Sequence, residues 1–196
     1  RLQKDHPKHW QAILAANNAA APMTMRVNVR RAGREQLLQR WAERGIEAST
    51  IGEDGLVLAR PRPVHDVPGF DEGQVSVQDA AAQLAAPLLL DALEAPPGRR
   101  LRLLDACAAP GGKTAHLLGR ADADLVALGL GPRRCQRIRE TLARLGLSAE
   151  VIAGDAADVN AWWDGKPFDG ILLDAPCTAS GIVRRHPDVR WLRRPG

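Results

Sequence analysis

The sequence predicts an α/β protein made of a small α/β unit followed by a parallel sheet. After residue 100, strand-like and helix-like segments alternate strictly, which is typical of a parallel sheet with right-handed crossovers. Before that, a shorter strand–helix–strand pattern ends in a loop rich in Pro and Gly over residues 61–73. The 196 residues are 45% hydrophobic and 26% charged, as in an ordered globular protein. We therefore predict two domains, 1–72 and 73–196.

The first domain is predicted from three short patterns. Residues Met25 to Arg30 alternate between apolar and polar side chains, as in a strand. Apolar residues at helical spacing predict a helix over Arg34 to Arg44, which Gly45 ends. Leu56 to Leu58 reads as another strand. Beyond the loop, we expect one long helix from about Val77 to Leu93.

The second domain is predicted to contain four strands and two helices. The strands are Leu101 to Asp105, Leu125 to Leu128, Val151 to Ala153 and Gly170 to Leu173, and the helices are Gly112 to Leu118 and Pro132 to Leu145. A doubly wound domain normally has more strands, so we expect the sheet to be incomplete at its C-terminal end. Cys135 shares one helix face with Ile138, Leu142 and Leu145, which indicates a core position.

Several classes of protein are excluded. No apolar run reaches 18 residues, so we expect no membrane span. The chain begins at Arg1 without a signal peptide and without Met, so we expect it to be part of a longer protein. Three cysteines without a CxxC pair and five scattered histidines predict reduced thiols, a cytoplasmic location and no metal site.

Arginine is concentrated near the C-terminus. The net charge is +4, and five arginines fall between Arg184 and Arg194, with Trp191 among them. Arginine suits bidentate phosphate contacts and base stacking, which favours RNA binding. A solvated charged segment is the alternative.

Three segments at the ends of predicted strands carry candidate chemistry. They are Asp105 to Thr114, Gly154 to Asp155 and Asp174 to Gly181. Open parallel sheets bind ligands at the carboxyl ends of their strands. Taken alone, each segment has a plainer alternative: a tight strand–helix turn, a helix-capping Asp or a small buried Cys.

Together these segments resemble the RsmB/NOP (Sun/Fmu) family of S-adenosylmethionine-dependent RNA cytosine-5 methyltransferases. The resemblance rests on LLDACAAPGGKT and LLDAPCTASGIVRRHPDVRW, and upstream on NNAAAPMTMRVN and GQVSVQD, so it covers nearly the whole chain. It implies a Rossmann-like methyltransferase sheet, incomplete at its C-terminal end, preceded by a small RRM-like subdomain. The RRHPDVRW stretch is similar to the bacterial branch that methylates a cytosine of 16S ribosomal RNA.

The resemblance also implies roles for individual residues. The methionine and ribose of S-adenosylmethionine would be wrapped by Cys107, Ala108, Ala109, Pro110, Gly111, Gly112 and Lys113. Asp155 would contact the adenine end, and Asp174 would lie beside the transferred methyl and the target cytosine. Cys177 would assist release of the methylated base. RNA would be bound by Arg184, Arg185, Arg190 and Trp191, and we expect a monomer without membrane or metal partners.

The sequence departs from the family in two ways. Gly129 stands where the family carries an acidic residue for the ribose hydroxyls, and the acidic residue usual at Gly131 is also absent. The attacking cysteine of the family lies in a Thr-Cys motif beyond Gly196. We therefore expect this chain to be inactive alone.

Three alternatives stay open. Cys177 could itself attack C6 of cytosine, as the Pro-Cys cysteine of DNA cytosine-5 methyltransferases does. Gly112-Lys113-Thr114 resembles the end of a P-loop, although Cys107 stands where that motif needs glycine. A non-catalytic RNA-binding protein would rely on arginines alone, namely Arg184, Arg185, Arg190, Arg193 and Arg194.

Overall fold

The computed structural model describes residues 2–95, 97–177 and 180–192, except for the side chains at 180, 181 and 190. The strands are β1 (Met23–Val27), β2 (Ala48–Ile51), β3 (Gly55–Leu58), β4 (Val75–Val77), β5 (Leu101–Asp105), β6 (Ala123–Gly129), β7 (Glu150–Ala153) and β8 (Gly170–Leu172). The α-helices are α1 (Leu2–Asp5), α2 (Trp10–Asn18), α3 (Arg34–Glu43), α4 (Ala85–Asp91), α5 (Gly112–Arg120), α6 (Pro132–Leu145) and α7 (Val189–Leu192).

The first sheet is antiparallel, with strand order β2-β3-β1-β4. Met25 at its centre lies opposite Leu56 on β3 and opposite Val77 on β4. Helix α3 connects β1 to β2 and buries Leu37 and Trp41 completely in the core beneath the sheet. A β-α-β unit split by an intervening antiparallel strand is the ferredoxin-like arrangement, which agrees with the predicted RRM-like subdomain.

Predictions for the first domain are confirmed for β1, α3 and β3, within two or three residues at the ends. The predicted helix from Val77 to Leu93 is wrong. Its start belongs to β4, a 3-10 helix follows at Ala81–Leu84, and α4 begins only at Ala85. Proline lacks an amide donor and is tolerated near a helix start, so α4 begins just before Pro87. The first sheet also takes β4 from beyond the predicted domain boundary at residue 72.

The second sheet is parallel, with strand order β7-β6-β5-β8, which confirms the predicted Rossmann-like arrangement. In the register, Leu103 on β5 lies opposite Leu125 on β6 and opposite Gly170 on β8. Helix α6 begins with Pro132 in its first turn and ends at Gly146, which adopts a left-handed φ of 68°. The predicted buried face of α6 is confirmed, and Cys135, Ile138, Leu142 and Leu145 are all buried.

Residues 23–175 form one compact unit, and the described residues among 2–22 and 176–192 form another. The second unit contains α1, α2, α7 and a 3-10 helix at Ser180–Arg184. Within it, the Arg184 guanidinium donates hydrogen bonds to the carbonyls of Ala19 (3.5 Å) and Ala20 (2.8 Å), just after α2 ends. No helix in the described part of the chain is long and apolar enough to cross a membrane.

Candidate functional site

The candidate site lies at the carboxyl edge of the second sheet. Asp105 is the last residue of β5, and the register places it opposite Leu172 at the end of β8. On the other side of β5, Gly129 ends β6 opposite Ala153 at the end of β7. Because all four strands are parallel, the segments that follow them leave the sheet at the same edge. This confirms the expectation that the three candidate segments share one edge.

Backbone hydrogen bonds attach the loop between β5 and α5 to the neighbouring strands. The amide of Ala106 donates to the carbonyl of Leu172 at 2.9 Å, and the amide of Ala108 donates to the carbonyl of Leu128 at 2.9 Å. On the helix side, the Thr141 hydroxyl donates to the Pro110 carbonyl at 2.7 Å. The loop is therefore held by β8, β6 and α6 together.

Gly111 allows this loop to lie against α6. Its φ is +102°, a left-handed conformation that favours glycine. A Cβ added here would lie 3.2 Å from the Thr141 Cβ and 3.3 Å from the Ile138 Cα. Both the backbone conformation and the close approach therefore require glycine at this position.

Asp105 is the most buried carboxylate of the site, with 1% of its surface exposed. Its Oδ2 accepts a hydrogen bond from the Thr114 hydroxyl at 2.6 Å. Its Oδ1 is buried and has no hydrogen-bond partner among the described residues. Burial raises the pKa of Asp105, and the Thr114 hydroxyl and the nearby Cys107 amide oppose that shift. A buried acceptor without a donor is costly, so this oxygen is suited to bind a donor from a ligand or water.

Lys113 and Asp174 form an ion pair across the site. The Lys113 Nζ, in the first turn of α5, lies 2.5 Å from the Asp174 Oδ2, two residues after β8. The Lys113 side chain is largely buried, whereas the Asp174 side chain is more than half exposed. The family resemblance implies separate roles for these two residues. Their pairing joins the loop after β5 to the segment after β8.

Cys107 does not have the environment of a reactive thiol. Burial raises the pKa of Cys107, and the carboxylates of Asp105, Asp174 and Asp155 raise it further, against a smaller opposing effect of Arg134. The thiol therefore stays protonated near neutral pH. The same shift shows that the carboxylates of Asp105, Asp155 and Asp174 lie near the Cys107 thiol.

Gly129 marks the part of the edge that lacks a carboxylate. A Cβ at Gly129 would lie 3.0 Å from the Cys135 Sγ and 3.2 Å from the Ile138 Cδ1, so α6 packs directly against this glycine. The neighbouring Asp155 is exposed and accepts a hydrogen bond from the Ala157 amide at 3.0 Å. The sequence alone showed that an acidic residue is missing, and the structure shows that the helix occupies its space.

The other predicted residues lie in the second compact unit. Cys177 is exposed, and so is Arg185. Trp191 is 87% exposed, as expected for a side chain that could stack on a base. Arg184 uses its guanidinium on backbone carbonyls beside α2. The side chain of Arg190, and all of Arg193 and Arg194, lie outside the described residues.

Comparison with known proteins identifies the family. Residues 92–196 match the family described as 16S rRNA methyltransferase RsmB/F, and residues 1–65 match the ferredoxin-like domain of RsmF/B-like methyltransferases. The ribosomal RNA small subunit methyltransferase B of Pseudomonas syringae pv. tomato is 54% identical over 197 residues, covering 98% of this chain and 43% of that protein. The chain therefore spans less than half the length of this relative.

Two solved structures resemble the chain over almost its whole length. The crystal structure of PH0851 has a TM-score of 0.85 at 26% identity, covering 99% of this chain and 44% of that one. A methyltransferase homolog protein from Pyrococcus horikoshii has a TM-score of 0.75 at 28% identity, covering 97% of this chain and 62% of that one.

Proposed function

The chain belongs to the 16S rRNA methyltransferase RsmB/F family, and on that premise we propose that it takes part in S-adenosylmethionine-dependent methylation of cytosine C5 in 16S ribosomal RNA. Membership of the family supports the proposed substrate and cofactor, and we propose a cytoplasmic location with them. The assignment of individual residues rests on the geometry of the carboxyl edge.

The group of polar side chains at the carboxyl edge of the second sheet is the observation that carries the proposal. Asp105 ends β5, Asp174 follows β8 and pairs with Lys113, and Asp155 follows β7. S-adenosylmethionine supplies an electrophilic methyl group on a positively charged sulfonium, and nearby carboxylates favour such a ligand. The unpartnered Oδ1 of Asp105 offers a buried acceptor for a donor of the ligand.

The loop from Cys107 to Lys113 would hold the methionine and ribose of the cofactor. Its small residues let the backbone approach a ligand closely, and Gly111 turns it against α6. Asp155 would bind the adenine end. The ribose hydroxyls would lack the usual carboxylate at Gly129, and a lost charged hydrogen bond weakens affinity by roughly tenfold or more.

Asp174 would bind the target base, and Lys113 would orient it. Cytosine C5 becomes nucleophilic when a thiolate adds to C6. C5 then takes the methyl group while the bond between that methyl and the sulfonium sulfur breaks and S-adenosylhomocysteine leaves; a base removes the C5 proton, and the thiolate is eliminated. A carboxyl group can accept a hydrogen bond from the N4 amino group, and in its acid form it can donate one to N3, which stabilises the charge that develops on the ring. The ion pair with Lys113 holds the Asp174 side chain at this edge of the sheet.

The family's attacking thiol belongs to a Thr-Cys motif, and none of the three cysteines here follows threonine. The family resemblance implies that Cys177 would assist release of the methylated base. Arg185, Arg190 and Trp191 would bind RNA, whereas Arg184 would do so only if it left its carbonyl partners.

The test is calorimetric titration of the chain with S-adenosylhomocysteine. We expect micromolar binding that Asp155→Ala weakens about tenfold. Asp164→Ala is the matched control, because the Asp164 Oδ1 accepts the Lys166 amide in the same kind of turn. A folded chain that shows no binding at millimolar ligand would contradict the proposed cofactor. RNA binding that falls with salt in the same chain would then favour the RNA-binding alternative.

A second titration tests the ribose position. The contacts with the Cys135 Sγ and the Ile138 Cδ1 mean that Gly129→Asp alone would force these side chains to move by a few tenths of an ångström. We therefore expect tighter binding only when Gly129→Asp is combined with Cys135→Ala, which makes room for the new side chain. Equal affinity in the double variant and in Cys135→Ala would show that the ribose hydroxyls lie elsewhere.

A further inference from the structure

Strand β1 and the residue that follows it carry two buried polar side chains, Arg26 and Asn28, that contact the second sheet's helices. Arg26 is 3% exposed and Asn28 is 6% exposed. The Asn28 Nδ2 donates to the Leu145 carbonyl at 3.1 Å, at the end of α6, and to the Gly73 carbonyl at 3.0 Å. Charged and amide side chains are rarely buried so fully without specific partners. The partners of Arg26 therefore indicate what it does.

The Arg26 Nη1 donates to the Gly112 carbonyl at 2.7 Å and to the Gln78 Oε1 at 2.5 Å. Burial lowers the pKa of Arg26 to about 10, with Asp54 opposing the shift, so the guanidinium stays charged at neutral pH. A buried charge is tolerated only where partners compensate its desolvation. The Gly112 carbonyl, 86 positions away in the sequence, is one of those partners.

Gly112 is the junction between the loop and α5. It follows Gly111, whose left-handed conformation turns the chain into the helix, and precedes Lys113, which pairs with Asp174. Outside its chain neighbours and the backbone of its own helix, a Cβ added at Gly112 would have no described atom within 4 Å. The hydrogen bond from Arg26 is thus a contact that reaches this residue from outside α5.

We propose that Arg26 is a positioning residue for the cofactor loop, acting from the first sheet through the Gly112 carbonyl. The proposal rests on the proposed function of that loop. It makes the ferredoxin-like sheet part of the frame of the cofactor site, in addition to any role in binding RNA. Arg26 acts through the backbone and does not itself touch the cofactor or the substrate.

Arg30, in the turn that follows β1, supplies a matched control because it contacts the same helix, α5. Its Nε donates to the Gly119 carbonyl at 3.2 Å and its Nη2 donates to the Ala121 carbonyl at 2.9 Å. Both arginines thus join the first sheet to α5 through backbone carbonyls. Arg26 binds the end that carries the loop, and Arg30 binds the opposite end.

The experiment compares Arg26→Met, Arg26→Lys and Arg30→Met in the chain as given. Hydrogen exchange of the amides in 106–116 and calorimetry with S-adenosylhomocysteine are both measured. We expect Arg26→Met to speed exchange in the loop and to weaken ligand binding, each by about tenfold. We expect Arg26→Lys to restore part of both, because it keeps the charge, and Arg30→Met to change neither.

The outcomes separate this proposal from the proposed function. Unchanged exchange and affinity in a folded Arg26→Met variant would overturn the positioning role, and so would equal effects of Arg30→Met. If Arg26→Met does not fold, the partial effects expected of Arg26→Lys decide, and their absence counts against the proposal. If the unmodified chain binds no ligand, the proposed function fails, while loop exchange still tests whether Arg26 holds the loop.

Discussion

The two sheets differ in how completely their buried polar groups are paired. In the first sheet, Arg26 and Asn28 are buried, and both donate to carbonyls of the second sheet's helices. In the second sheet, Asp105 is equally buried but leaves one oxygen without a partner, beside the ion pair of Lys113 and Asp174. Arg26 and Asn28 join the two sheets through hydrogen bonds, whereas the unpartnered Asp105 oxygen lies at the edge where we propose that the ligand binds. The hydrogen bonds that join the sheets and the side chains of the candidate site are thus supplied by different residues.

The largest stability effect is expected in the core of the first sheet. Trp41→Ala should lower the free energy of unfolding by about 3–5 kcal/mol, because the ring is fully buried and its Nε1 donates to the Pro68 carbonyl at 2.9 Å. Trp163→Ala is the control: its Nε1 donates to the Lys166 carbonyl at 2.7 Å, but its side chain is 45% exposed. Urea denaturation measures both. Similar losses would show that the first core contributes no more than a surface contact.

The next effect concerns pH at the junction of the two sheets. Burial, together with the charges of Arg26 and Arg120, lowers the pKa of His116 to about 3. The unfolded chain binds the proton at about pH 6.5, so the unfolded state holds more protons between those values. Stability should therefore be complete above pH 6.5 and fall on acidification toward pH 3.

The slope from this one residue is at most about 1.4 kcal/mol per pH unit. Urea denaturation between pH 4 and pH 8 compares the chain with His116→Gln, in which we expect a shallower acid limb. Parallel pH profiles for the two proteins would mean that His116 is solvated or paired in acid. That result would weaken the view that the His116 ring is shielded from water at this junction.

A smaller effect is expected at the loop of the second sheet. Gly111→Ala should cost about 1–3 kcal/mol and weaken S-adenosylhomocysteine binding, because φ is +102° and the new Cβ meets α6. Gly165→Ala carries the same kind of strain at φ +82°, but no described atom lies within 4 Å of its Cβ. The difference between the two variants measures the close approach itself. Equal losses of stability, with ligand affinity unchanged, would remove the loop from the candidate site.

The parallel sheet and its carboxyl edge could be predicted because their signals are local. Apolar residues recur at helical spacing along the buried face of α6, which includes Cys135. The strands that lead to Asp105 and Asp174 are short apolar runs. Most residues of β2 are exposed, so its sequence shows no alternation of buried and exposed side chains that would predict a strand. The contacts that connect the sheets could not be predicted, because they join residues such as Arg26 and Gly112 that are far apart in sequence.

The smallest stability effect should come from the ion pair at the site. Lys113→Met removes a partner of Asp174, whose side chain is 57% exposed. Solvent screens such a pair, so the free energy of unfolding should change by less than about 1 kcal/mol. Lys166→Met is the control, since the Lys166 side chain is exposed and Asp174 forms its ion pair with Lys113.

Ligand binding should separate these two lysine variants where stability does not. Removing Lys113 leaves Asp174 free to turn away and increases the negative charge near Asp105, which changes the affinity for a cationic ligand relative to a neutral one. We therefore expect Lys113→Met to favour S-adenosylmethionine, which carries the positive sulfonium, over S-adenosylhomocysteine. We expect Lys166→Met to leave the ratio of the two affinities unchanged. A loss of stability as large as that of Trp41→Ala, with the affinity ratio constant, would place Lys113 in the structural frame instead of the site.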